Sequence, residues 1–189
     1  MSSENPSGAE NQQERLGSEA WLDRIPHDLG HYIAGFVEGE GSFNVPIIRE
    51  RDRCLPWRVC LSFNVSQRGP EMAMLLMDTF ERGRKRDRGD GVWYFEISRP
   101  EHLEERVFPF FGRFSLRGPK ANDLLIFKEI TKLVRLDRHL TPEGIREILI
   151  LRSPMNRGGK RRRSDEEIIA VLEEARILRG HTQGSLLEA

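Results

Sequence analysis

Eleven residues of alternation, from Trp57 to Gln67, limit what this chain can fold into more than any other stretch. Trp57, Val59, Leu61, Phe63 and Val65 fall on one side of an extended backbone, and Arg58, Cys60, Ser62, Asn64 and Ser66 fall on the other. A strand with one apolar and one polar face belongs to an antiparallel sheet whose second side meets solvent or a partner. Upstream, Ser42–Ile48 alternates as well, with Phe43, Val45 and Ile47 opposite Ser42, Asn44 and Pro46. Arg49–Pro56 then becomes the loop of a first hairpin.

The remaining pattern is helical around a second hairpin. Asp28 is placed to cap a helix carrying Leu29, Tyr32, Ile33, Phe36 and Val37, which Gly39 and Gly41 end. Gly69-Pro70 starts another over Glu71–Phe80, with Met72, Leu75, Leu76 and Phe80 as its stripe. A turn at Asp87–Gly91 precedes an aromatic strand, Val92–Ser98. Pro100 opens a helical stretch through Leu103, Val107 and Phe110. A longer helix is expected at about Asn122 to Arg138, and a shorter one after Thr141-Pro142. The order predicts an α+β fold, αββαββα, built on antiparallel hairpins rather than strand–helix–strand crossovers.

The 189 residues suit one domain, and the 30 basic and 30 acidic side chains cancel. Their distribution is more informative. Residues 152–163 contain Arg152, Arg157, Lys160, Arg161, Arg162 and Arg163 with no acid, whereas residues 1–28 are net acidic. The second hairpin crowds Arg82, Arg84, Lys85, Arg86 and Arg88 at one end. Two basic hairpins side by side can lie along a DNA groove, because the major groove admits a two-stranded ribbon; a solvated surface is the other reading of the same charges. Cys54 and Cys60 have no metal-ligand spacing and read as reduced, incidental thiols. No apolar run approaches the roughly 20 residues of a membrane span, so a soluble protein of the bacterial cytosol or an organelle interior is expected, with no membrane partner. Residues 1–27 are expected to form a disordered or loosely ordered tail, 28–163 the domain, and 164–189 a helical tail begun by Ser164-Asp165-Glu166-Glu167.

Within the first helix, Ile33-Ala34-Gly35-Phe36-Val37-Glu38-Gly39-Glu40-Gly41, followed by Ser42-Phe43, resembles the LAGLIDADG motif of homing endonucleases. Downstream landmarks agree in order: Asn64-Val65-Ser66-Gln67, Asp87-Arg88-Gly89, Pro109-Phe110-Phe111, and Leu116-Arg117 with Lys120-Ala121-Asn122. A late segment, Met155-Asn156-Arg157-Gly158-Gly159-Lys160, is similar to bacterial members. The resemblance spans about residues 28–163 and implies a saddle-like DNA-binding sheet backed by helices. Tyr32–Phe43 occurs once only, so this is a single-motif chain.

The motif also has a physical reading. Small residues Ala34, Gly35 and Gly39 leave little side chain on the helix, so a second helix can approach closely. The resemblance makes that helix the copy from another subunit, in an isologous homodimer. It also places Glu40 beside the twofold axis as a metal ligand, with the Gly39 carbonyl contributing. Mg²⁺ is the expected cation, with Mn²⁺ or Ca²⁺ as alternatives at the same site. Glu38 and Glu40 stand where Asp is the commoner residue. By position, Gln67 resembles the residue that orients the attacking water, and Arg117 falls where a lysine often stabilises the phosphate; Arg supplies charge there but no base.

The resemblance implies site-specific, metal-dependent hydrolysis of both strands of a long, roughly palindromic DNA, leaving short 3′ overhangs. Base-reading candidates are the outward residues Ser42, Asn44, Arg58, Ser62, Asn64 and Ser66. Arg68, Arg84, Lys85, Arg86 and Arg88 can meet bases or phosphates, and Lys120 and Lys160–Arg163 read as backbone clamps. The competing reading keeps the scaffold without the cut: an intron-splicing maturase gripping intron RNA, or a non-cleaving DNA-binding protein.

Overall fold

The structure, a computed structural model, describes residues 20–50, 56–158 and 164–173. Helix α1 spans His27–Glu40, followed by strands β1 (Gly41–Asn44), β2 (Ile47–Arg49), β3 (Trp57–Val59) and β4 (Ser62–Arg68). Next come α2 (Glu71–Phe80), β5 (Arg84–Asp87) and β6 (Val92–Ile97). Short helices α3 (Pro100–His102) and α4 (Phe108–Arg113) are joined by a π-helical turn at Leu103–Val107. Helices α5 (Pro119–Arg135), α6 (Pro142–Arg152) and α7 (165–173) complete it.

Both expected long strands are broken. Ser42–Ile48 divides into β1 and β2 around Val45-Pro46, and Trp57–Gln67 divides into β3 and β4 around Cys60-Leu61. Proline has no amide hydrogen to give a ladder, so a central strand cannot run through it. The carbonyl of Pro46 accepts the Cys60 N–H at 2.9 Å, which holds the two breaks opposite one another. β2 and β3 form a separate antiparallel ribbon, with Ile47 opposite Val59 and Arg49 opposite Trp57. The other four strands make one sheet in the order β1-β4-β6-β5.

The helices follow their apolar periods with small shifts. α1 starts at His27 after Pro26, so Asp28 lies in its first turn and makes no cap; Gly39 is within the helix, and Gly41 alone ends it. α5 begins at Pro119 and ends at Arg135, three residues ahead of the expected stretch at each end. Proline suits a first helical position because its missing N–H would be unpaired there in any case. The π turn lies just before Pro109, whose ring cannot donate and would crowd the carbonyl four residues back; widening relieves this. Thr141 caps α6 through the Gly144 N–H at 3.0 Å, as its Thr-Pro start suggests.

The described residues form two compact units. One contains 20–41 and 64–118, the other 42–63 and 119–173. In the first, Phe80 stacks on Phe95 at 5.8 Å and leans on Phe110 at 4.9 Å, while Phe110 meets Phe114 at 5.0 Å. Each fully buried Phe contributes about 1.5–3 kcal/mol from area alone. Phe114 packs onto Gly30 so closely that a Cβ there would lie 2.4 Å from the ring. In the second unit, Phe43 lies 5.2 Å from Phe63 and 5.5 Å from Phe127.

The expected tails are partly structural. Trp21, Leu22 and Ile25 are buried, so the segment 20–27 is anchored in the first unit by these three side chains and is not part of a loose tail. Trp21 lies under the Arg106 guanidinium at 4.7 Å, and Arg106 also reaches Glu81 at 3.3 Å. At the other end, Ile168 and Leu172 of α7 are fully buried. Arg152, 5% exposed, donates to the Val45 carbonyl at 2.8 Å and pairs with Asp165. Residues 1–19, 174–189 and the basic run Lys160–Arg163 lie outside the described residues. No helix among the described residues is long and apolar enough to cross a membrane.

Candidate active site

α1 presents two different faces. Gly30, Ile33, Ala34 and Val37 are buried, whereas Tyr32, Gly35, Gly39 and Glu40 are exposed. A Cβ placed on Gly35 or Gly39 would meet nothing within 4 Å. Ala34 therefore does not share the open stripe expected of it. Successive residues turn by about 100° around a helix, which carries Ala34 from Gly35 to the core side, where it is 4% exposed.

The last turn of α1 holds Glu38 and Glu40 and no basic residue. A helix carries roughly half a negative charge at its C-terminal end, so two carboxylates there are in conflict with the backbone. Glu38 is partly relieved by donors. Its Oε2 accepts the Arg117 N–H at 3.1 Å, and Gly118 packs against its Oε1 so that a Cβ would come within 2.5 Å. Glu40 is exposed, and among the described residues no cation pairs with it. A shallow cavity of about 390 Å³ runs beside this end, lined by His31, Gly35, Glu38, Leu116 and Arg117 among others.

This donor set fits a hard cation only in part. Among the described residues there is no group of three or more His, Cys, Asp or Glu that could hold a metal ion. One exposed carboxylate at the negative end of a helix, with the Gly39 carbonyl in the same turn, is half a site. That suits Mg²⁺, which retains waters and takes one or two carboxylates together with phosphate oxygens.

Gln67 and Arg68 end β4 and are both exposed; Gln67 shares the side of Phe63 and Val65 but extends past the core. Arg117 is exposed, in the loop that Glu38 holds. Of the outward strand residues, Ser42, Asn44, Asn64 and Ser66 are half-buried and Arg58 is exposed, but Ser62 is only 7% exposed. A short side chain on an inner strand sinks below its neighbours, which removes Ser62 from the accessible set. Arg58 is tied to Glu50, and Lys120 is half-buried at the start of α5.

The register of β5 with β6 sorts the basic residues of the second hairpin. Arg84 faces Glu96 and bonds it, and Arg86 faces Tyr94, whose ring lies 5.8 Å from the Arg86 guanidinium and 6.0 Å from that of Arg88. Arg88 also meets Asp90 at 3.3 Å. Lys85 is paired with buried Phe95, so it points to the opposite side at the rim. Hydropathy pattern gave no sign of Asn156. It has a φ of 52° and bonds Ser42, Phe43 and Asn44 together. The Met155–Lys160 resemblance passed through it without giving it a role; its short polar side chain, which tolerates the left-handed region, is the other signal.

The family model described as LAGLIDADG endonuclease matches residues 33–131, more than half of the chain. This chain belongs to the LAGLIDADG endonuclease family. Among relatives, the "Probable intron-encoded endonuclease 3" of Neurospora crassa is 30% identical over 133 residues, 66% of this chain and 24% of its own length. The crystal structure of the homing endonuclease I-TnaI is similar with a TM-score of 0.65 and 28% identity, covering 77% of this chain and 97% of that one. The meganuclease I-SmaMI, bound to uncleaveable DNA with a TTGT central four, gives a TM-score of 0.67 at 27% identity, over 77% of this chain and 50% of that one. The chain thus spans about a quarter of the length of its curated LAGLIDADG relative and half of the I-SmaMI chain.

Proposed function

We propose that this chain is an intron-encoded homing endonuclease that, as a homodimer, hydrolyses both strands of a long, roughly palindromic DNA site. The observation that carries the reading is Glu40, a carboxylate with no ion-pair partner among the described residues, at the negative end of a helix whose neighbouring glycines lie open. Two α1 helices packed through Gly35 and Gly39 would bring two Glu40 carboxylates together, which repel unless a cation intervenes. The names of the relatives support the intron origin and the cutting, and the DNA held by I-SmaMI supports the double-stranded substrate.

Glu40 and the Gly39 carbonyl would hold the cation, Mg²⁺ first and Mn²⁺ or Ca²⁺ as alternatives. A bound divalent ion supplies charge neutralisation at the phosphate and lowers the pKa of water. Gln67 orients the attacking water by hydrogen bonding. The water oxygen would bond to phosphorus and give up a proton to solvent as the bond to the 3′ oxygen breaks and that oxygen takes up a proton from solvent, leaving a 3′-hydroxyl and a 5′-phosphate, with staggered cuts giving short 3′ overhangs. Arg117 contributes fixed positive charge beside the phosphate and transfers no proton.

Arg68, Arg84, Arg86, Arg88 and Lys120 set the position of the duplex, chiefly through phosphates, while Ser42, Asn44, Arg58, Asn64 and Ser66 face base edges. The test is cleavage of a plasmid carrying the intron-less allele of the gene that this reading frame interrupts. Linear product in Mg²⁺, lost in EDTA and in Glu40→Gln, is the expected result. Binding of that plasmid without any cut in Mg²⁺ or Mn²⁺ would instead favour the non-cleaving scaffold.

A further inference from the structure

Asn156 lies far from the motif in sequence, yet its side chain bonds all three residues that follow it, two of which, Ser42 and Asn44, are outward candidates for meeting DNA. Its Nδ2 donates to the Phe43 carbonyl at 3.0 Å and to Asn44 Oδ1 at 3.1 Å, and its Oδ1 accepts from Ser42 Oγ at 3.3 Å. Its own N–H donates to Asp123, an 8% exposed carboxylate, at 3.1 Å. A left-handed φ of 52° at a residue other than glycine persists where surrounding bonds impose it, and such positions cluster where function requires a fixed geometry.

The direction of these bonds is decided by one atom. A backbone carbonyl can only accept, so the Phe43 oxygen fixes which end of the Asn156 amide carries hydrogens. The second hydrogen then requires an oxygen from Asn44, which turns the Asn44 NH2 to the other side. The Asn156 oxygen takes the Ser42 hydroxyl proton, leaving Ser42 with lone pairs to offer. β1 is an edge strand in the order β1-β4-β6-β5, so among the described residues no strand lies beyond this polar row.

We propose that Asn156 is a specificity-determining positioning residue: it sets the hydrogen-bond polarity of Ser42 and Asn44, making Ser42 an acceptor and Asn44 a donor toward DNA. This rests on the reading of the chain as a site-specific DNA-binding enzyme. Ser42 and Asn44 are two residues apart on one face, about 6.6 Å, which matches roughly two base-pair steps. Since Ser42 follows Glu40 by two positions, the affected base pairs are those beside the cut. Ser42 favours an amino group of C or A, and Asn44 favours N7, O6 or O4 of a purine or T.

The experiment is selection of bound duplexes from a randomised DNA pool in EDTA, followed by sequencing, for wild type, Asn156→Ala, Asn156→Asp and Asn44→Asp. Asn156→Ala should lose about tenfold preference at the two base pairs and leave the others unchanged. Asn156→Asp accepts where Asn donated, so the Asn44 amide flips and its base preference moves to an amino-bearing edge. Asn44→Asp keeps an acceptor oxygen for the Asn156 Nδ2 and removes only the NH2, so it should lose the donor-dependent preference alone. Unchanged base profiles in Asn44→Asp, or in folded Asn156→Ala, would overturn the proposal while leaving the enzyme reading intact. A wild-type protein that enriches no sequence overturns both.

Discussion

The Glu38 carboxylate accepts the backbone N–H of Arg117 at 3.1 Å, joining the end of the motif helix to a loop 79 residues away in sequence. The motif's first acid is therefore a clasp, distinct in task from Glu40. Glu38→Ala should cost about 1 kcal/mol in urea denaturation, below the roughly 1.5–3 kcal/mol of a bond to a charged group because water reaches this site. Cleavage should fall tenfold or more as Arg117 loses its position, with duplex binding little changed. Glu38→Gln retains an acceptor oxygen and should restore most of both; an inactive Gln variant would mean that the charge, not the clasp, matters.

Glu40→Gln removes a negative charge from the wrong end of a helix dipole. The variant should be about 0.3–1 kcal/mol more stable than wild type at low salt, while losing all cutting. Paired thermal melts and plasmid assays check this, and a destabilised variant would argue that Glu40 has a partner in the folded protein.

Two glycines of the same helix should respond in opposite ways. Gly30→Ala drives a Cβ into the Phe114 ring and should cost about 1–3 kcal/mol by denaturation. Gly35→Leu meets open space within the subunit and should fold, yet sediment as a monomer because the second helix can no longer approach. A Gly35→Leu variant that stays dimeric places the interface elsewhere.

Breaking the buried ion pair between Arg152 and Asp165 should be severe. Asp165→Ala takes a carboxylate away from an inward guanidinium, and about 3–5 kcal/mol of stability should be lost. Replacing both residues, as in Arg152→Met with Asp165→Leu, should recover much of that. A small loss for Asp165→Ala beside a large loss for the double variant would show that the Val45 bond, not the pair, is what matters.

The β5–β6 register separates two neighbouring cations. Arg86→Ala should reduce by about one the slope of log binding constant against log salt concentration, whereas Lys85→Ala, on the other side, should leave it unchanged. The reverse pattern would put DNA on the Phe95 side.

The sequence disclosed what periodicity and turn chemistry control. Glu71–Phe80 forms the helix its stripe predicts, and the alternation of Trp57, Val59, Leu61, Phe63 and Val65 is buried on one side throughout. It could not disclose breaks that depend on tertiary pairing: Pro46 is compatible with a bent strand or an edge strand until its carbonyl is seen to receive Cys60. Spacing also misassigned Ala34, since a list of small residues says nothing about which helical face each occupies. Glu40 and Gln67 were legible because a motif named them. Glu38 and Asn156 also stood in resembling segments, but their tasks were not legible, because these lie in bonds to residues 79 and more than 110 positions away.

Because α7 seats Asp165 on the Arg152 guanidinium and buries Ile168 and Leu172, it is a wall of the second unit rather than an appendage. Anyone splicing two copies head to tail, to read a site whose halves differ, must carry this helix whole in the leading copy.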